Sequence, residues 1–154
     1  MTVTLIPLIT VMVAVCAALW VIDVRSHRLP NALVYPLYPV GLVGLAFSAV
    51  MTHHSSWRST AVGVLMWGGL LASLHVLSRG RGMGMGDVKL APVLGAVDGW
   101  VGVTAAATGL MAAFALGGLW ALGCLARGKG GQTRIAFGPF LIVGWLVGLC
   151  VGPG

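Results

Sequence analysis

The chain has 154 residues, of which 58% are hydrophobic and 8% charged, and nine Lys or Arg against three Asp give a formal net charge of +6. An average globular domain carries about 25% charged residues, so a water-soluble globule of this make-up lacks the polar surface to cover itself. Together with a mean hydropathy of +1.00, this excludes a soluble enzyme, a disordered tail and a nucleic-acid binder, and leaves an integral membrane protein.

Apolar runs follow one another along the chain. The first covers residues 3–22, and about 20 residues cross a 30 Å hydrocarbon core. No Lys or Arg precedes it and no A-x-A site follows it, which argues against a cleaved signal peptide. The second run covers 33–51 and the third 60–77, followed by a polar stretch at 78–87. A long run then fills 90–126, interrupted by Asp98 and Gly99, and a last run covers 135–151. As one helix the long run would measure about 55 Å, too much for a single crossing. Asp98-Gly99 is the expected break. It leaves a short helix over 88–97, which needs shelter from other helices or a thinned bilayer, and a long helix over 100–126.

Six spans place eight of the nine basic residues on one side: Arg25 and Arg28, then Arg79, Arg81 and Lys89, then Arg127, Lys129 and Arg134. Only Arg58 falls on the other side. Five spans divide them almost evenly, so the positive-inside rule selects six. The expected fold is an all-α bundle of about six transmembrane helices in a single domain over 1–154, with both termini outside and the basic loops in the cytoplasm.

The chain has no Glu, and its acids are Asp23, Asp87 and Asp98. In the six-span layout Asp23 closes span 1 and Asp87 opens span 4, both at the cytoplasmic edge, while Asp98 falls in a turn on the far side. Two adjacent carboxylates in low dielectric do not both ionise cheaply, so the pair shares a proton. The ionised member takes a proton from water and the protonated member donates to a carbonyl oxygen, which is general acid–base hydrolysis of an amide. Holding one Asp neutral near pH 7 takes about 4 kcal/mol of differential stabilisation. The glycines at 80, 82, 84 and 86 bare the backbone ahead of Asp87, which lets an extended peptide approach closely. They complete neither a dinucleotide fingerprint nor a P-loop.

These residues carry a family resemblance. Asp23 to Asn31 read D-x-R-x-x-R-L-P-N, Gly84 to Lys89 read G-M-G-D-x-K, and Phe137-Gly138-Pro139 precede the last span. In order, spacing and layout, over nearly the whole chain, they resemble the type IV prepilin peptidases, membrane aspartic proteases with a GxGD motif. The resemblance implies Asp23 and Asp87 as the catalytic pair. It implies a substrate that is a prepilin or pseudopilin, whose short basic leader is removed at the cytoplasmic face of the inner membrane. Gly84, Gly86, Lys89, Arg25, Arg28, Pro30, Asn31, Gly138 and Pro139 are the candidate substrate-binding or supporting residues. Lys89 and Arg25 would steady an ionised carboxylate or bind lipid phosphate. Bifunctional members also methylate the new N-terminus and carry paired CxxC motifs in an extra domain; this chain resembles the short form.

Cys16, Cys124 and Cys150 have no CxxC spacing and read as buried small hydrophobes. The four His lack ligand spacing with any Cys or acid, so neither metal nor cofactor is expected, and no nucleic acid. Trp57, Trp67, Trp100 and Trp145 read as belt or packing residues. Gly144, Gly148 and Gly152 form a small-xxx-small stripe for close packing, within the chain or in a homodimer. Two other functions compete: a small proton-coupled transporter, whose acids belong near the midplane, and a non-catalytic membrane subunit of a pilus assembly.

Overall fold

A chain this apolar must satisfy its backbone N–H and C=O groups within each segment, because lipid offers no partner. The computed structural model, which describes residues 3–26, 31–52, 56–79, 84–127 and 137–151, is helical accordingly. After a 3-10 turn at Val3–Leu5 come α1 (Ile6–Ser26), α2 (Asn31–Thr52), α3 (Trp57–Leu77), α4 (Met85–Val101), α5 (Val103–Ala126) and α6 (Gly138–Val151). There is no strand among the described residues.

Four of these helices, α1, α2, α3 and α5, are long and apolar enough to cross a membrane. Their outward faces carry large apolar side chains such as Leu42, Val43, Leu65, Val76, Met111 and Leu119. On a soluble protein such a surface would aggregate; against acyl chains it costs nothing. Asn31 opens α2 as expected of the Pro30-Asn31 turn signal, although Pro30 itself lies outside the described residues.

The short helix after the GxGD motif is the centre of the bundle. α4 has 17 residues, about 25 Å, and touches α2, α3, α5 and α6. Leu90, Leu94, Val97 and Trp100 are fully buried on it. Shelter by neighbours, rather than length, is what accommodates this segment.

The break between α4 and α5 differs from the expected one. The helix runs through Asp98 and Gly99 to Val101, and the chain turns at the extended residue Gly102. Gly99 is there for packing, not for a turn. A Cβ on it would lie 2.9 Å from the Cα of Thr60 on α3 and 3.1 Å from the Cα of Gly63. Gly95, one turn earlier, is pressed against the Gly63 carbonyl and the Trp67 Cβ. The two glycines thus form a GxxxG face that lets α3 and α4 touch at backbone distance. Asp98 is likewise not in a turn: it is fully buried inside the bundle, against Gly109 of α5 and Gly148 of α6.

The glycine stripe on α6 works within the chain at two of its three positions. A Cβ on Gly144 would lie 2.6 Å from the Cβ of Ala113 on α5, and Gly148 meets Asp98; Gly152 lies outside the described residues. In α3, residues Leu65–Gly69 form a π turn. It aims Trp67 into the core, where its Nε1–H donates to the Ala106 carbonyl at 2.9 Å, and it brings Gly68 against the Pro92 ring. Trp67, Trp100 and Trp145 are buried packing residues, whereas Trp57 is exposed and meets Trp100 edge-on at 5.0 Å. Cys16 is buried as expected; Cys150 is exposed, on the apolar outside.

Candidate active site

The three sequence motifs meet at one end of the bundle. Asp23 lies in the last turn of α1, and Asp87 is the third residue of α4. Both are buried, at 4% and 5% exposure, although each stands at a helix end where a solvated carboxylate would ordinarily be exposed. What covers them is the start of α6. A Cβ placed on Gly138 would lie 2.6 Å from Asp23 Oδ2 and 3.4 Å from Asp87 Oδ1. The two carboxylates therefore approach one point from two helices and stand within about 6 Å of each other, the range in which charges shift one another's ionisation.

Local sequence explains each placement. Gly84 precedes α4 in an extended conformation and takes the N-cap position. Asp87, three residues on, accepts a hydrogen bond from the Gly84 backbone N–H, one half of the capping-box arrangement. A Cβ on Gly84 would sit 3.4 Å from Asp87 Oδ2, so the first glycine of the motif leaves room for the carboxylate to fold back. Gly86, half-buried, is the second residue of α4. At α6, the Phe137 carbonyl accepts from the N–H groups of Phe140 and Leu141 at 3.0 and 3.2 Å. Pro139 sits in that first turn, where its missing N–H costs nothing. Because α6 begins at Gly138, the positive end of its dipole meets Asp23.

Asp87 precedes the apolar stretch of α4 and lies outside the four long spans. Burial first, and the Asp23 carboxylate second, push its carboxyl up to about 7, against the downward pull of the Gly84 N–H. Such a carboxyl exchanges its proton near neutrality, as an acid or base in hydrolysis must.

Other candidate residues distribute unevenly. Lys89, two residues past Asp87, meets α2: its ammonium lies over the Tyr35 ring at 5.2 Å from the centroid, and its carbonyl accepts a hydrogen bond from the Tyr38 hydroxyl at 2.7 Å. Gly138 and Pro139 are buried beside the acids. Arg28 and Pro30, and the side chains of Arg25 and Asn31, lie outside the described residues. Asp98 is eleven residues along α4 from Asp87, about 16 Å away, and has no part in the pair. Tyr35 and Tyr38 escaped the sequence reading. Their signal was an aromatic pair at i, i+3 one turn into α2, on the face toward the motif lysine.

The sequence model of the type IV leader peptidase family matches residues 10–122 of the chain. A prepilin leader peptidase/N-methyltransferase of Xanthomonas campestris pv. campestris is 36% identical over 82% of this chain and 44% of its own length. One from Dichelobacter nodosus is 34% identical over 84% of this chain and 43% of its own. One from Escherichia coli K12 is 30% identical over 84% and 56% respectively. The chain thus spans about half the length of these relatives. No solved structure matches it significantly.

Proposed function

From the premise that the chain belongs to the type IV leader peptidase family, we propose that it is a membrane aspartic endopeptidase that removes the short basic leader of a prepilin or pseudopilin. The observation that carries this reading is the convergence of two buried carboxylates, Asp23 and Asp87, on the single residue Gly138. They share one proton. The ionised member accepts a proton from water as the water oxygen bonds to the scissile carbonyl carbon. The other member donates its proton to the carbonyl oxygen. Collapse of the tetrahedral adduct breaks the C–N bond, the leaving nitrogen takes a proton, and the carboxyls return to their starting state. No covalent enzyme intermediate forms.

The basic loops argue for an inner-membrane protein with this site at the cytoplasmic face. They also argue against docking of a basic leader by direct charge attraction. The apolar helix of the substrate enters laterally, with anionic lipid between the two basic surfaces. The aspartates stand at helix ends, which favours a peptidase over a transporter with acids at the midplane.

The test is co-expression with a prepilin from the same genome, following the leader by mass spectrometry. Wild type and Asp98→Asn should cleave, and Asp23→Asn and Asp87→Asn should not, because the two carboxylates act as a unit. Equal cleavage by all four would sink the catalytic assignment. Folded, inserted wild type that cleaves nothing would favour a transporter or a non-catalytic assembly subunit. The same spectra read whether the new N-terminus is methylated.

A further inference from the structure

The first turn of α4 carries Asp87, and the helix lacks one backbone rung just beyond it. Pro92 has no N–H, so the Val88 carbonyl loses its i+4 donor and one rung is missing just beyond the motif. α2 supplies a hold from outside. The Tyr38 hydroxyl donates to the Lys89 carbonyl at 2.7 Å, and the Tyr35 ring lies 5.2 Å under the Lys89 ammonium. Tyr35 and Tyr38 are three residues apart and so share a helix face. Lys89 is thereby pinned at its backbone and at its side-chain tip by one turn of α2, two residues from Asp87. Pro36 and Pro39, each following one of these tyrosines, fix φ within that turn.

We propose that Tyr38, assisted by Tyr35, is a positioning residue for Asp87: it ties the N-terminal end of α4 to α2 through Lys89, two residues past Asp87, and so sets where the Asp87 carboxylate stands relative to Asp23. The proposal rests on the peptidase reading for its kinetic consequence, but the placement of Asp87 is measurable without catalysis. The chain has only three aspartates, so labelling with aspartate carrying 13C at Cγ gives three carboxyl resonances, and Asp87→Asn identifies that of Asp87.

The test uses the full chain in lipid nanodiscs. Its probe is a synthetic peptide with a short basic leader, a glycine at the cleavage point and an apolar tail. Tyr38→Phe removes only the hydroxyl, Tyr35→Leu removes the ring beneath the ammonium, and Tyr35→Phe keeps a ring as the conservative rescue. Tyr38→Phe should lower kcat about three- to tenfold, the scale of one hydrogen bond, with KM and melting temperature unchanged. The titration midpoint of the Asp87 resonance should move by about half a pH unit or more, and the alkaline limb of kcat with it. Tyr35→Leu should act in the same direction and Tyr35→Phe should restore wild-type values. A merely structural role would lower the melting temperature and the active fraction and leave the midpoint in place. An unmoved midpoint in Tyr38→Phe overturns the proposal, as does an effect confined to KM. If wild type fails to cleave the peptide while the Asp87 midpoint still moves in Tyr38→Phe, the peptidase reading falls and the positioning stands.

Discussion

Gly138→Ala is the sharpest single perturbation of the proposed site. The added methyl would stand 2.6 Å from Asp23 Oδ2 and 3.4 Å from Asp87 Oδ1. Since Cβ atoms essentially never approach another heavy atom within 3.0 Å, Asp23 must retreat by at least several tenths of an ångström. The atom displaced is the tip of a side chain and not backbone, so the change falls at the low end of overpacking costs, about 1 kcal/mol. Catalysis does not, because a misplacement near 1 Å costs about 100-fold in rate, or about 2.7 kcal/mol of barrier. The expected result is a kcat down by about 10- to 100-fold with a melting temperature close to wild type. Gly118→Ala is the matched control: its Cβ meets nothing within 4 Å, and alanine improves helix propensity there by up to about 1 kcal/mol. Both variants are assayed for leader removal in nanodiscs at saturating peptide, beside a thermal melt. Gly138→Ala with wild-type kcat and an unshifted melt would show that the carboxylates do not stand against Gly138, and the two-aspartate geometry would fall.

Three further outcomes are expected. Activity should decline above about pH 7 as the pair loses its shared proton, read from the pH profile of kcat. Asp87 raised from 3.8 to about 7 holds its proton more tightly folded than unfolded, so its contribution to stability is complete below about pH 4 and is lost as pH rises through about 7; a kcat flat from about pH 6 to 9 contradicts the first statement, and a melting temperature flat over about pH 4 to 8 the second. Gly95→Ala drives a methyl to 2.7 Å from the Trp67 Cβ and against the Gly63 carbonyl; stability should drop by about 2 kcal/mol or more, and an unchanged melting temperature would contradict the backbone contact of α3 and α4. Trp67→Phe removes the buried hydrogen bond to Ala106 and should cost about 1–3 kcal/mol, again read from a thermal melt.

Much of this arrangement was legible in the residues. Runs of about twenty apolar residues have one structural solution in lipid, so α1, α2, α3 and α5 fell where the hydropathy put them. The acids stood out because so few charges compete with them. Asp-Gly at 98–99 misled because glycine serves two ends that a sequence does not separate: it frees φ in turns and it removes a side chain where helices cross. Gly99 serves the second, which depends on Thr60 and Gly63, some forty residues away. Tyr35 and Tyr38 were hidden for a similar reason. Aromatics near a span end read as interface anchors, and only the path of α2 beside α4 gives them Lys89 as a partner. The role of Gly138 was visible as a motif but not as a cause, since its need for hydrogen in place of Cβ comes from Asp23 across the bundle.

The two helices that bear the aspartates, α1 and α4, do not pack on each other among the described residues; α2 and α6 each touch both. That topology has a consequence for biogenesis. Helices enter a membrane in the order in which they are made, and α6 is the most C-terminal of the six. Until it docks, the helices of Asp23 and Asp87 are linked through α2, which packs on both, but the Gly138 backbone that covers the two carboxylates is not in place. On the proposed function, the two carboxylates stay uncovered until α6 docks, and hydrolytic competence would await that docking.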